Sequence, residues 1–168
     1  MSHIAIAIVA TTTFAIVGAS TSAHASGTCK TLTGHLVANQ TTTNCTSPTG
    51  ICFTGTITGD KTLNGSSSWI ELDQAPSAGM PATEPSANVS YSGTLTVTTS
   101  GGSVTMRNLG VIAAAIGNTS GFNFTEIERT VSGTGSFATA TGSVFLSGSL
   151  LNNETRFDGF FSGQLCGL

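Results

Sequence analysis

Charge is scarce in this sequence: only 8% of its 168 residues are Asp, Glu, Lys or Arg, against a typical fraction of about 25%. The five basic residues, Lys30, Lys61, Arg107, Arg129 and Arg156, stand far apart, so no cationic stripe exists to displace counterions from a phosphate backbone. Nucleic acid is therefore not an expected partner. Cys-x-x-Cys pairs are absent, and His35 is the only imidazole beyond residue 25, so a zinc site lacks ligands and no cofactor is expected. The same scarcity leaves a serine nucleophile without more than one candidate base, and no Gly-x-Ser-x-Gly elbow is present. Glycine-rich loops that open a helix, the usual phosphate cradle, are missing too. There are four prolines, and three of them, Pro76, Pro81 and Pro85, share one segment.

What remains is Thr, Ser and 21 Gly around an apolar fraction of 39% with a net charge of -3, the composition of a folded, β-rich chain. The length suits one domain. Ile4 to Ala19 is mostly apolar and leads into Ala23-His24-Ala25, the small-x-small pattern of a leader cleavage site. This predicts a signal peptide over 1–25 and a single domain over 26–168, located outside the cell or in a periplasm. An uncleaved anchor is the alternative, but the run is shorter than the ~20 apolar residues of a spanning helix and is interrupted at Thr11-Thr12-Thr13. No later stretch is apolar enough to span.

All four cysteines lie beyond the leader, and an even count in an exported chain reads as two disulfides. Cys45 and Cys52 enclose a turn-rich Thr-Ser-Pro-Thr-Gly-Ile segment, which favours a local bridge and leaves Cys29 for Cys166 among the three possible pairings.

Period-two alternation recurs throughout. Tyr91, Gly93, Leu95 and Val97 alternate with Ser92, Thr94, Thr96 and Thr98, as a half-buried antiparallel strand requires. Ser100-Gly101-Gly102-Ser103 then reads as a hairpin turn. The same reading predicts strands at 29–38, 51–59, 66–72, 88–99, 103–113, 121–131, 142–151 and 155–166, with 73–86 as a long Pro-rich connection that no strand ladder crosses. Eight antiparallel strands form a sandwich or a barrel. A Cys29–Cys166 bridge makes the first and last strands neighbours, so the predicted fold is an all-β, eight-stranded antiparallel closed barrel, an interior just wide enough for side chains or one small ligand.

The segment Gly133-Thr134-Gly135-Ser136-Phe137-Ala138-Thr139-Ala140-Thr141-Gly142 resembles the Gly-Thr-Gly-x-Phe-x-x-Ala-x-Gly stretch of the allene oxide cyclase and dirigent β-barrel group. The hairpin around Tyr91 to Thr96 and the strand from Ser143 to Ser149 are similar to that group as well. The resemblance implies an eight-stranded barrel with an apolar cavity, Phe137 plugging one end. It assigns no role to Ser136, which stands where the group often has Lys or Arg. Group members include cyclases, coupling-guiding proteins and exported bacterial proteins, so the fold alone does not select a function.

Phe122, Phe124, Glu126 and Glu128 share one face of a strand. If that face is internal, Glu126 and Glu128 are carried toward the barrel mouth, where desolvation suits them to general acid and base work. The competing expectation, which we favour from the sequence, leaves both solvated beside Arg129. Asn108 shares a face with Val104 and Met106, so it is expected inside as a ligand-orienting or core amide, with Arg107 pairing an acid outside. Trp69 and Tyr91 are expected to contact a ligand or fill the barrel. The leading functional expectation is a non-catalytic, exported binding or structural module for a small apolar or aromatic ligand. The alternative is a cofactor-independent isomerase or cyclase using Glu126 or Glu128, with Asn108 as anchor. A third is a carbohydrate or envelope contact through exposed Trp69 and Tyr91.

Overall fold

The computed structural model describes residues 28–76, 88–114 and 121–168. Eight strands follow in order: β1 Cys29–Gln40, β2 Cys52–Gly59, β3 Gly65–Pro76, β4 Asn88–Thr99, β5 Gly102–Ala114, β6 Phe122–Gly133, β7 Thr141–Leu151 and β8 Arg156–Cys166. Each pairs antiparallel with its chain neighbour, and β1 closes onto β8 over an unbroken register from Cys29↔Cys166 to Asn39↔Arg156. The barrel is therefore closed by a full strand ladder. The Cys29–Cys166 disulfide pins its seam at one end, and Cys45–Cys52 ties the loop that leads into β2. Two such bridges are consistent with an oxidising environment.

Alternation decides what faces inward. On β4, Tyr91, Gly93, Leu95 and Val97 are buried while the intervening hydroxyl residues stay at least partly exposed. Gly102 sits at φ 136, and a Cβ there would lie 2.2 Å from the Thr134 carbonyl oxygen, so the β4–β5 turn requires glycine.

The two ends of the barrel differ. At the end where β1 begins and β8 ends, a short 3-10 turn at Gly135–Phe137 places Phe137 fully inside, in one buried cluster with Leu32, Leu165 and Val104. The interior beyond it is filled by Leu36, Ile57, Leu95, Met106, Leu146 and Phe161, leaving voids of only about 10 Å³. Among the described residues the opposite end, where the 41–51 and 152–155 connections lie, has no such plug and is open.

Several expectations need correction. β3 runs on through Asp73 to Pro76, paired with β4 from Ser92 to Val89, because a bulge between Glu71 and Asp73 absorbs Leu72 and lets the ladder continue. The rest of the Pro-rich connection, like the leader, lies outside the described residues. Arg107 pairs with no acid among the described residues; its cross-strand neighbour is Arg129, and both point outward.

Candidate functional site

The site begins with two rows of residues running across β3 to β6. In one, Gln74, Tyr91, Gly110 and Glu126 are successive cross-strand partners; in the next, Glu71, Gly93, Asn108 and Glu128 are. Both rows face inward except at Gln74, which is exposed where it lines the cavity at the barrel end. Each has a glycine where a large side chain must lie flat against the wall. A Cβ on Gly110 would stand 2.5 Å from Tyr91 Cζ and 2.8 Å from Glu126 Cβ, and one on Gly93 would stand 2.7 Å from Asn108 Oδ1 and from Trp69 Cε2. The missing side chains let the Tyr91 ring cross β5 and let Asn108 and Trp69 fit side by side.

Tyr91 Oη then donates to Glu126 Oε2 at 2.8 Å, and Asn108 Nδ2 donates to the same oxygen. Glu128 lies one step of the alternation deeper on β6, and among the described residues neither of its oxygens, nor Glu126 Oε1, has a hydrogen-bond partner. Two neighbouring buried carboxyls do not both ionise, and Glu128, with no donor to either oxygen, is the one that keeps its proton. Burial raises both carboxyls above their ordinary value, and the Glu126 charge raises Glu128 further; donors converging on Glu126 oppose the effect there. Burial and the nearby Glu126 charge also raise the Tyr91 hydroxyl, which is held as the neutral donor.

Glu126 is 3% exposed, Glu128 1% and Asn108 2%, which overturns the solvated placement of the two acids. The even alternation of β6 put them on the Phe124 face, and the closed barrel made that face interior. They do not point toward the mouth, however. β6 enters from the open end at Phe122, so each step along the strand carries its inward residues deeper. Trp69 and Tyr91 are interior rings as well, which removes the exposed aromatic contact for carbohydrate.

Above this cluster the open end holds a cavity of about 210 Å³. Four rings, Phe53, Trp69, Tyr91 and Phe157, form its aromatic wall. Successive pairs lie 5.8 to 5.9 Å apart between centroids, and both contacts of Trp69, with Phe53 and with Tyr91, are edge-on. The Trp69 indole Nε1 is buried without a hydrogen-bond partner. Tyr91 thus belongs to both levels: it lines the cavity and holds Glu126. Asn108 sits behind this wall and does not line the cavity.

The sequence reading missed Glu71, which is 2% exposed and lines the cavity. It follows Ser67 and Trp69 at period two, and that phase match with an inward tryptophan was the available signal. The loop tied by Cys45–Cys52 clasps it: Thr49 Oγ1 donates to Glu71 Oε2 at 2.6 Å, Ser47 Oγ donates to the Glu71 carbonyl at 2.7 Å, and Glu71 N donates to the Ile51 carbonyl at 3.0 Å. Burial pushes this carboxyl up, while the Thr49 hydroxyl pulls it back. The β3 bulge shifts the phase beyond Glu71, so Gln74 rather than Asp73 reaches the cavity. On the opposite rim, Asn152, Asn153 and Glu154 occupy three consecutive left-handed positions, φ 53 to 67, and the last two line the cavity. Non-glycine residues in that region carry a local penalty that surrounding structure must offset.

His35 lies on the outer wall, where its Nε2 meets Asp158 Oδ1 at 2.6 Å and its ring stacks on Phe160 at 4.5 Å. It takes no part in the interior cluster. Compared with family models, curated proteins and solved structures, the chain matches none, so its function is argued from this geometry.

Proposed function

We propose that this chain is an exported β-barrel, similar in kind to the allene oxide cyclase and dirigent group, that binds a small apolar or aromatic molecule in the cavity at its open end. One observation carries the reading: in a barrel otherwise packed to voids of about 10 Å³, the open end keeps about 210 Å³ walled by four aromatic rings. An apolar cavity of ~150 Å³ accommodates benzene, so this space suits one ring with a short substituent.

Native mass spectrometry of protein purified from its host medium is expected to show a retained small molecule. Filling the space should abolish retention: Leu150→Phe, at the cavity wall, is expected to remove the added mass while shifting the unfolding midpoint by less than the ~1–3 kcal/mol of an overpacked core site. Retention unchanged by that substitution would end the proposal.

A second reading is favoured by Tyr91, whose ring lines the cavity and whose hydroxyl bonds Glu126, with Glu128 held protonated beside it by burial and by the Glu126 charge. A substrate that gains a proton at one atom and loses one at another needs such a relay, as a cofactor-independent isomerase or cyclase does. On this reading Glu126→Gln lowers any turnover by about 10²-fold or more and leaves ligand retention intact. Turnover insensitive to that substitution would leave binding alone.

A further inference from the structure

The interior of this barrel has acids and no bases. Glu71, Glu126 and Glu128 are all buried, whereas Lys30, Lys61, Arg107 and Arg129 lie outside; Arg156 is half-buried and paired with Asp158, and none of the five lines the cavity. Buried acids are ordinarily matched by a cation or by full hydrogen bonding. Glu126 is met on one oxygen by Tyr91 and Asn108, and neither it nor Glu128 lines the cavity. Glu71 is the one of the three that lines the cavity: among the described residues its side-chain donor is Thr49, Asp73 adds a like charge nearby, and the other charged residue lining the cavity, Glu154, is also acidic.

The faces around Glu71 point to the kind of cation. A metal ion wants several oxygen or nitrogen ligands at short range, and no three metal-binding side chains converge among the described residues. What surrounds the space instead is π-surface. Phe53, Trp69, Tyr91 and Phe157 all line it, and aromatic rings attract organic ammonium groups through their quadrupoles. The geometry points to a small organic ammonium ion as the ligand of this cavity, its charged head boxed by these rings and countered by Glu71. The inference rests on the binding reading above and deepens it from an apolar ligand to a cationic one.

Trp69 is the only tryptophan in the chain and lines the cavity, so its emission reports occupancy directly. The full-length secreted protein is titrated with benzyltrimethylammonium and with neopentylbenzene, which has the same shape but no charge, and both titrations are repeated in Glu71→Gln. The cation is expected to bind about tenfold more tightly than its neutral isostere in the native protein. Glu71→Gln should reduce that ratio by about the same factor while moving the neutral probe less than about twofold. A native protein that binds both probes equally, or prefers the neutral one, overturns the cation assignment and leaves the binding reading standing. So does a cation preference that survives Glu71→Gln unchanged. If neither probe alters Trp69 emission, the binding reading falls with it.

Discussion

Gly110 decides how far Tyr91 can reach. Alanine there would place a carbon 2.5 Å from the ring and 2.8 Å from Glu126 Cβ, so the ring must swing off β5 and its hydroxyl must leave Glu126. Gly110→Ala is expected to destabilise by ~1–3 kcal/mol through overpacking, read as a lower urea midpoint with an unchanged slope. Tyr91→Phe, which keeps the ring and removes only the donor, is expected to have a smaller effect. The residue-scale chemistry also separates the two acids. Glu126 accepts from Tyr91 and Asn108, whereas Glu128 has no hydrogen-bond partner among the described residues. Glutamine at 128 removes a buried ionisable group that has no partner, whereas glutamine at 126 disturbs the bonds from Tyr91 and Asn108, so Glu128→Gln is the better tolerated substitution of the pair.

At the scale of elements, the two disulfides do different work. Cys29–Cys166 spans 137 residues and joins the ends of β1 and β8, while Cys45–Cys52 spans 7 and holds the loop that clasps Glu71. In the chain-entropy account, a bridge around a ~100-residue loop stabilises by about 4.7 kcal/mol and a short one by less than about 3. Replacing Cys29 and Cys166 with Ser should therefore lower the thermal midpoint more than replacing Cys45 and Cys52. The second pair is expected to show its effect locally, as faster amide exchange at Ile51 and Glu71 with the rest of the barrel protected. Equal loss of protection throughout would show that the loop and the barrel unfold as one unit.

For the whole molecule, confining acids to the interior gives stability a definite pH dependence. Glu71, Glu126 and Glu128 are raised from an ordinary value of 4.5, so the folded state holds more protons than the unfolded state above that pH. Their contribution is complete below 4.5 and is lost as pH climbs through the raised values. Asp60 and Asp158 act in the opposite sense: Thr62 and His35, respectively, hold them below 3.8, and their small surface contribution is lost only on strong acidification. The native barrel is therefore expected to have a lower urea midpoint at pH 8.5 than at pH 5. Glu128→Gln should flatten that slope, and a slope unchanged by the substitution would mean Glu128 does not carry the interior proton.

The sequence alone determined strand number, disulfide pairing and barrel closure, because period-two alternation and cysteine positions are local or end-to-end features of the chain. It also determined that Asn108, Glu126 and Glu128 share faces with apolar residues. Only the tertiary structure decided which of those faces lies deep and which meets the open end, since that depends on the direction in which each strand enters the closed sheet. The bulge that turns Gln74 into the cavity, the clasp on Glu71 and the reach of Tyr91 over Gly110 were decided there too. Each arises from residues distant in sequence becoming cross-strand or loop neighbours, and no spacing along the chain encodes that contact.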